Sequence, residues 1–232
     1  MKRHRSIGPQ PRTRLRWLIV SSRIASFVFH PFFMTTVAGF LIYKLVPTRF
    51  HNYSSDTMTL LMAKLVLLTI IFPFLSVLLF RKLGLISDTK MHKPGDRFYP
   101  LLTALAFYTL AYWFLPSTVP VFIHSLLFGS CLSIFILLLI TGFYKISVHT
   151  TAAAILVGVC IVLMANVKLT ILTLIFASLV AIIVGIVRWL LGAHTIGQIL
   201  LGYVAGIFTQ IGAYYYMRRK SSRNFAYDKY LN

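Results

Sequence analysis

Residues 119–141 read VPVFIHSLLFGSCLSIFILLLIT, twenty-three positions without one Asp, Glu, Lys or Arg. The hydrocarbon core of a bilayer is about 30 Å thick, and a helix rising 1.5 Å per residue crosses it in roughly 20 apolar residues. Runs of the same kind recur outward from this one, at about 24–46, 58–80, 99–115, 150–165, 169–187 and 195–217. In lipid only helices and closed barrels satisfy every backbone polar group internally. The strict polar–apolar alternation of a barrel strand is missing. The expected fold is therefore all-α, an integral membrane helical bundle of six or seven transmembrane helices. The span count stays open because the runs at 99–115 and 150–165 are short. Residues 24–217 form a single membrane domain in this reading, flanked by a basic N-terminal tail, 1–23, and a basic C-terminal tail, 218–232.

Composition points the same way. Hydrophobic residues make up 58% of the chain and charged residues 12%, where a soluble domain carries about 25% charged residues. Mean hydropathy is +0.82. The 23 Lys and Arg face only four acids, Asp56, Asp88, Asp96 and Asp228, and Glu is absent. That shortage argues against a paired-carboxylate glycosidase and against a carboxylate-built magnesium or two-metal site. The net charge of +19 sits in short connections and at the ends. It suits anionic lipid headgroups better than nucleic acid, which calls for a basic domain or stripe. Cys131 and Cys160 lie inside apolar runs and read as small buried hydrophobes rather than a disulfide.

Chemistry concentrates in three connections: 81–98 (RKLGLISDTKMHKPGDRF), 142–149 (GFYKISVH) and 188–194 (RWLLGAH). They follow the second, fourth and sixth apolar runs, so parity places all three on one face of the membrane. Together they offer Lys90, Lys93, Arg97, Lys145 and Arg188 as cations, His149 and His194 as titrating groups, and Ser147 as a hydroxyl. Both histidines stand at the start of an apolar helix, where free N–H groups and the positive end of the dipole favour an anion. Arg presents a planar fork of donors suited to phosphate oxygens. The combination reads as a phosphate cradle with two imidazoles beside it.

The spacings are Lys90-x6-Arg97, then Ser147-Val148-His149, then Arg188-x5-His194-x3-Gln198. This pattern resembles the type 2 phosphatidic acid phosphatase superfamily, whose motifs run K-x6-R-P, P-S-G-H and S-R-x5-H-x3-D. The flavour of the motifs is similar to a branch found in Bacteroidetes. The resemblance implies a lipid phosphatase of a bacterial cytoplasmic membrane, working without a metal or other cofactor on a membrane lipid phosphate or diphosphate. It implies that Lys90, Arg97 and Arg188 hold the phosphate oxygens and that Ser147 donates to one of them. His194 would attack phosphorus to give a phosphohistidine, and His149 would protonate the leaving group. Lys145 would be an accessory cation.

Departures from the pattern sharpen the expectation. Phe98 stands where the family has Pro, the second motif reads Ile146-Ser147-Val148-His149, and Val187 replaces the Ser before the third-motif Arg. Gln198 stands where the family places the Asp that orients the nucleophile. One helical turn from His194, its amide oxygen can reach the ring and fix a tautomer, but it brings no negative charge. The alternative is a catalytically impaired protein of the same fold that binds lipid phosphate without turning it over. A small transporter is a third class, and it calls for polar residues deep inside the spans.

His30, His51, His92 and His124 carry no partner pattern and read as structural or interfacial. Gly202 and Gly206 form a G-x-x-x-G that reads as packing within the bundle. Lys and Arg are spread almost evenly over both faces once the site candidates are set aside, so orientation stays open, as does oligomeric state.

Overall fold

The computed structural model describes residues 11–88, 94–167 and 171–231. Its described residues form helices and connections without a strand. Eight helices follow in chain order: α1 Pro11–Val28, α2 Pro31–Leu45, α3 Ser55–Lys82, α4 Phe98–Trp113, α5 Val121–Ile140, α6 Val148–Asn166, α7 Ile171–Leu190 and α8 Ile196–Leu231. Five of them (α3, α5, α6, α7 and α8) are long and apolar enough to cross a membrane, and α1 with α2 makes a sixth candidate. The protein is an all-helical integral membrane protein.

Two boundaries differ from the sequence expectation. The run 24–46 is not one helix, because α1 and α2 meet at a 54° bend. Pro31 is the cause: it has no N–H to give, and its ring pushes the preceding residue out of helical geometry. His30 accordingly sits at φ −66°, ψ 140° and caps α2, its ring nitrogen accepting the Phe32 N–H at 3.4 Å. The described residues of the segments read as tails are helical, since α1 begins at Pro11 and α8 continues to Leu231. No Gly or Pro interrupts residues 12–28 or 213–231.

α3 carries one irregular turn. Its backbone widens into a π-helical turn at Leu67–Ile71, just ahead of Pro73. A proline here cannot donate to the carbonyl four residues back, and such widened turns absorb the mismatch. The Thr69 carbonyl meets the Tyr108 hydroxyl of α4 at 3.5 Å instead, and the Thr69 hydroxyl meets that of Thr36 on α2 at 2.5 Å. Further hydroxyl pairs join α2 to α5 (Thr35 to Ser130, 3.2 Å) and α5 to α8 (Ser133 to Thr209, 2.5 Å). Hydrogen bonds of this kind hold helices together where lipid offers no hydrophobic drive between them.

α6 is the centre of the bundle. Thirteen of its residues are buried, many of them Ala or Val, and its most extensive contact is with α8. Gly202 and Gly206 make that contact possible. A side chain on Gly202 would collide with Thr150 and the Ser147 carbonyl, and one on Gly206 with the Thr151 carbonyl. The small-residue pair is spent on packing within the chain, and it fixes the first turn of α6 against α8.

Candidate active site

The three connections meet at one end of the bundle, and the meeting is stitched by backbone. Arg97 Nη1 donates to the Ile146 carbonyl at 3.1 Å, and the Ser147 N–H donates to the Gln198 carbonyl at 3.2 Å. The Thr150 hydroxyl reaches the Ile199 carbonyl at 3.3 Å. The start of α6 is thereby tied to both the start of α4 and the start of α8.

The spacing of Arg188 and His194 has a local cause. Gly192, at φ +61°, reverses the chain after α7 in a conformation that a side chain disfavours. Its N–H bonds the Trp189 carbonyl at 2.8 Å and the Ala193 N–H bonds the Arg188 carbonyl at 3.1 Å. This paired closure is a Schellman turn, and it leaves Arg188 in the last turn of α7 with His194 folded back beside it. α8 then starts with a capping box. The Gln198 N–H donates to the Thr195 hydroxyl at 3.4 Å, and the Thr195 N–H donates back to Gln198 Oε1 at 3.3 Å.

That box decides the protonation of His194. Because a backbone N–H donates to it, the Gln198 atom in question is the amide oxygen. The same oxygen lies 3.0 Å from His194 Nδ1, and the Lys145 carbonyl lies 3.2 Å from it. Two acceptors facing one ring nitrogen require it to carry the proton, so Nε2 keeps its lone pair. His194 is buried, and its pKa is pushed down to about 4, first by that burial and then by the charge of Arg188, with Arg97 and Lys145 adding to it; the Gln198 bond works weakly the other way. At neutral pH the ring is uncharged. Arg97 and Lys145 are also lowered, each mainly by burial, and Lys145 additionally by the two arginines.

These side chains open onto one cavity of about 730 Å³. Arg97, Lys145, His149, Arg188 and His194 all line it, as do Arg23, Ser26 and His30 among the residues of the N-terminal helix pair. No Asp or Glu is among the described lining residues. Asp96 instead accepts the Ser87 N–H and hydroxyl, at 3.0 and 2.5 Å, and Asp88 lies 4.0 Å from Arg81. The far wall is apolar: Phe74, Val77 and Leu78 of α3, Leu101 and Ala104 of α4, Ile134 and Leu137 of α5. Phe74 and Leu78 are also half-exposed.

Of the residues expected from sequence, His149, His194, Arg97, Arg188 and Lys145 are brought together. Gln198 stands behind His194 rather than in the cavity wall. Ser147 is fully buried; its hydroxyl accepts the Thr150 N–H at 3.4 Å as the cap of α6, and it is not among the lining residues. Lys90 and Lys93 lie outside the described residues. Arg23, Ser26 and His30 belong to no motif and were missed. The signal that pointed to one of them was His30-Pro31, a capping residue followed by Pro at the first helical position.

The chain matches no family model, and neither a curated protein nor a solved structure is recognisably similar to it.

Proposed function

We propose that this membrane protein is a metal-independent lipid phosphatase, of the type 2 phosphatidic acid phosphatase kind, acting through a phosphohistidine. The observation that carries the reading is the cavity itself. Four cations and three imidazoles surround it, no carboxylate among the described lining residues balances them, and the same cavity continues along an apolar wall. An amphiphile with an anionic head and a hydrocarbon tail matches both halves. A lipid phosphate or diphosphate in a bacterial cytoplasmic membrane is the substrate class that the motif spacing supports.

The chemistry follows from the tautomers. Arg97, Arg188 and Lys145 hold the phosphoryl oxygens, together with Lys90 from the first motif, and stabilise the charge that gathers on them in the transition state. Neutral His194 attacks phosphorus with the Nε2 lone pair, and the bond from phosphorus to the lipid oxygen breaks. His149, protonated by the acidic proton of the bound lipid phosphate monoanion, passes that proton to the departing oxygen. The imidazole gains positive character as the N–P bond forms, and the Gln198 and Lys145 carbonyls facing Nδ1–H stabilise it by dipole. Water then attacks the phosphohistidine, gives its proton to His149 and releases phosphate as the N–P bond breaks.

The test is phosphate release from dispersed lipid phosphates by the purified protein in detergent, with EDTA present. Turnover is expected in the wild type, and His194→Ala is expected to lose about 10⁴-fold or more, as removal of a nucleophile does. Wild-type turnover by His194→Ala would sink the mechanism. One observation favours a second reading. The group behind His194 is an amide, not a carboxylate, and a protein that binds lipid phosphate without turning it over needs nothing more.

A further inference from the structure

We propose that the bent N-terminal helix pair completes the anion site, with His30 contacting the phosphate as a hydrogen-bond donor and Ser26 positioning Arg188 and His149. The inference rests on the anion-binding reading of the cavity, and it concerns residues outside all three motifs.

His30 is placed by its cap. Its Nδ1 accepts the Phe32 N–H at 3.4 Å, so that nitrogen is unprotonated and the neutral ring carries its hydrogen on Nε2. The ring lines the cavity and stands edge-on to His149, with centroids 5.4 Å apart at 77°. Among the described residues Nε2 has no hydrogen-bond partner. A half-buried N–H donor with no protein acceptor, beside Arg188 and Arg23 and with no acid in the wall, is complementary to an anion's oxygen.

Ser26 acts on Arg188 in a way a carboxylate would not. Arg188 Nη1 donates to the Ser26 hydroxyl oxygen at 3.0 Å. A guanidinium only donates, so the hydroxyl hydrogen stays available to His149 Nε2, 3.5 Å away. One small side chain thereby orients both groups without neutralising the cation. Arg188 Nε is buried and unpartnered among the described residues, which leaves a donor for a ligand. An Asp at position 26 would hold Arg188 more firmly and cancel the charge the site needs.

The experiment titrates inorganic phosphate, and in parallel a short-chain phosphatidate, into the full chain in detergent micelles by calorimetry. His30→Asn separates the two roles of the imidazole: Asn is a favoured cap and keeps an acceptor for the Phe32 N–H, but its amide donor stops short of the position that the imidazole Nε2–H reaches. Ser26→Ala removes the bridge and Ser26→Thr restores it. His51→Ala, beyond the opposite end of α2, is the control. His30→Asn and Ser26→Ala are expected to weaken phosphate binding about 10-fold each, the loss of one hydrogen bond to a charged partner. Ser26→Thr stays within about threefold of wild type, and His51→Ala is unchanged. The phosphatidate binds more tightly than free phosphate with the same ratios between variants; equal affinities would mark a site for free phosphate rather than for a lipid. Thermal unfolding near that of the wild type shows that His30→Asn keeps its fold. Wild-type affinity in His30→Asn would make His30 a cap only, and equal losses in Ser26→Thr and Ser26→Ala would remove the hydroxyl's role; either overturns the proposal while leaving the phosphatase reading intact. A wild-type protein that binds neither ligand overturns both.

Discussion

Both ends of the bundle place arginines beside a cavity, but they stand in opposite electrostatic settings. At one end Arg49 and Arg218 border a smaller cavity of about 360 Å³ with Asn166 and Tyr214. Arg49 follows the C-terminus of α2 and Arg218 bonds Asn166, the last residue of α6. Helix C-termini carry unpaired carbonyls and a partial negative charge, so exposed cations there are already complemented. At the other end the cavity wall includes the N-terminal turns of α2 and α6 and the residues leading into α4 and α8. Those helix starts are themselves positive, and Arg97, Lys145 and Arg188 are added to them in partial or full burial. Charge of one sign has been concentrated where it raises the cost of folding. An arginine count treats the two ends alike, and so does helix direction alone, since Arg188 stands in the last turn of α7; burial among other cations is what tells the site arginines apart.

The most severe test of this contrast is Arg188→Lys. The charge survives, but one ammonium cannot hold the Ser26 hydroxyl and present a second, planar pair of donors to an anion. A loss of about 10²-fold in kcat/KM is expected, the usual scale for removing one oriented donor from a transition state. The same change at Arg218, where only an exposed cation near a helix end is needed, is expected to leave turnover unaltered. A mild effect at both positions would mean that charge alone matters at the site end.

Gln198→Asp puts a negative charge behind His194, on a side chain one methylene shorter than Gln. Where the shorter carboxylate reaches the Nδ1–H, it stabilises the positive character that the proposed attack gives His194. An increase of about 10-fold at pH 7 is expected for an active wild type. The pH profile gives an independent reading. In the proposed mechanism His194 is neutral when it attacks, so its pKa of about 4 is expected to set the acid limb of kcat/KM. A carboxylate beside the ring raises that pKa, so the acid limb of Gln198→Asp moves to higher pH. A wild type with almost no turnover that gains strongly in Gln198→Asp would support the impaired, lipid-binding reading.

What the sequence made legible was local. Apolar runs announced the helices because lipid imposes length and composition on each one separately. Arg188 and His194 were found together because a single Schellman turn at Gly192 sets the distance between them. Ser147 shows the limit of such reasoning: a helix cap and an anion donor both call for Ser at the start of α6, and only its packing assigns the hydroxyl to Thr150. Ser26 was invisible, because its partner Arg188 is 162 positions away and no local pattern joins them. His30 was half legible. Its Pro31 neighbour announced a helix start, yet the apolar run 24–46 was read through it as one span, which concealed that the break turns an imidazole toward the site.

The smallest expected effect closes the contrast from the other end. Arg218 Nη1 donates to Asn166 Oδ1 at 2.9 Å in an exposed position. Removing it leaves the last turn of α6 closed, because Asn166 Nδ2 still donates to the Val162 carbonyl at 2.8 Å. Tyr214 likewise keeps its stacking on Phe122, with ring centroids 5.4 Å apart. An exposed polar contact of this kind is worth about 0.5 kcal/mol. Arg218→Ala should therefore unfold in detergent at almost the wild-type temperature and release phosphate within about twofold of the wild-type rate, since no helix connecting the two ends changes its packing. A 10-fold fall in turnover with an unchanged melting temperature would show that the arginines at this end also hold an anion. Burial among other cations would then no longer be enough to tell a functional cation from an anchoring one.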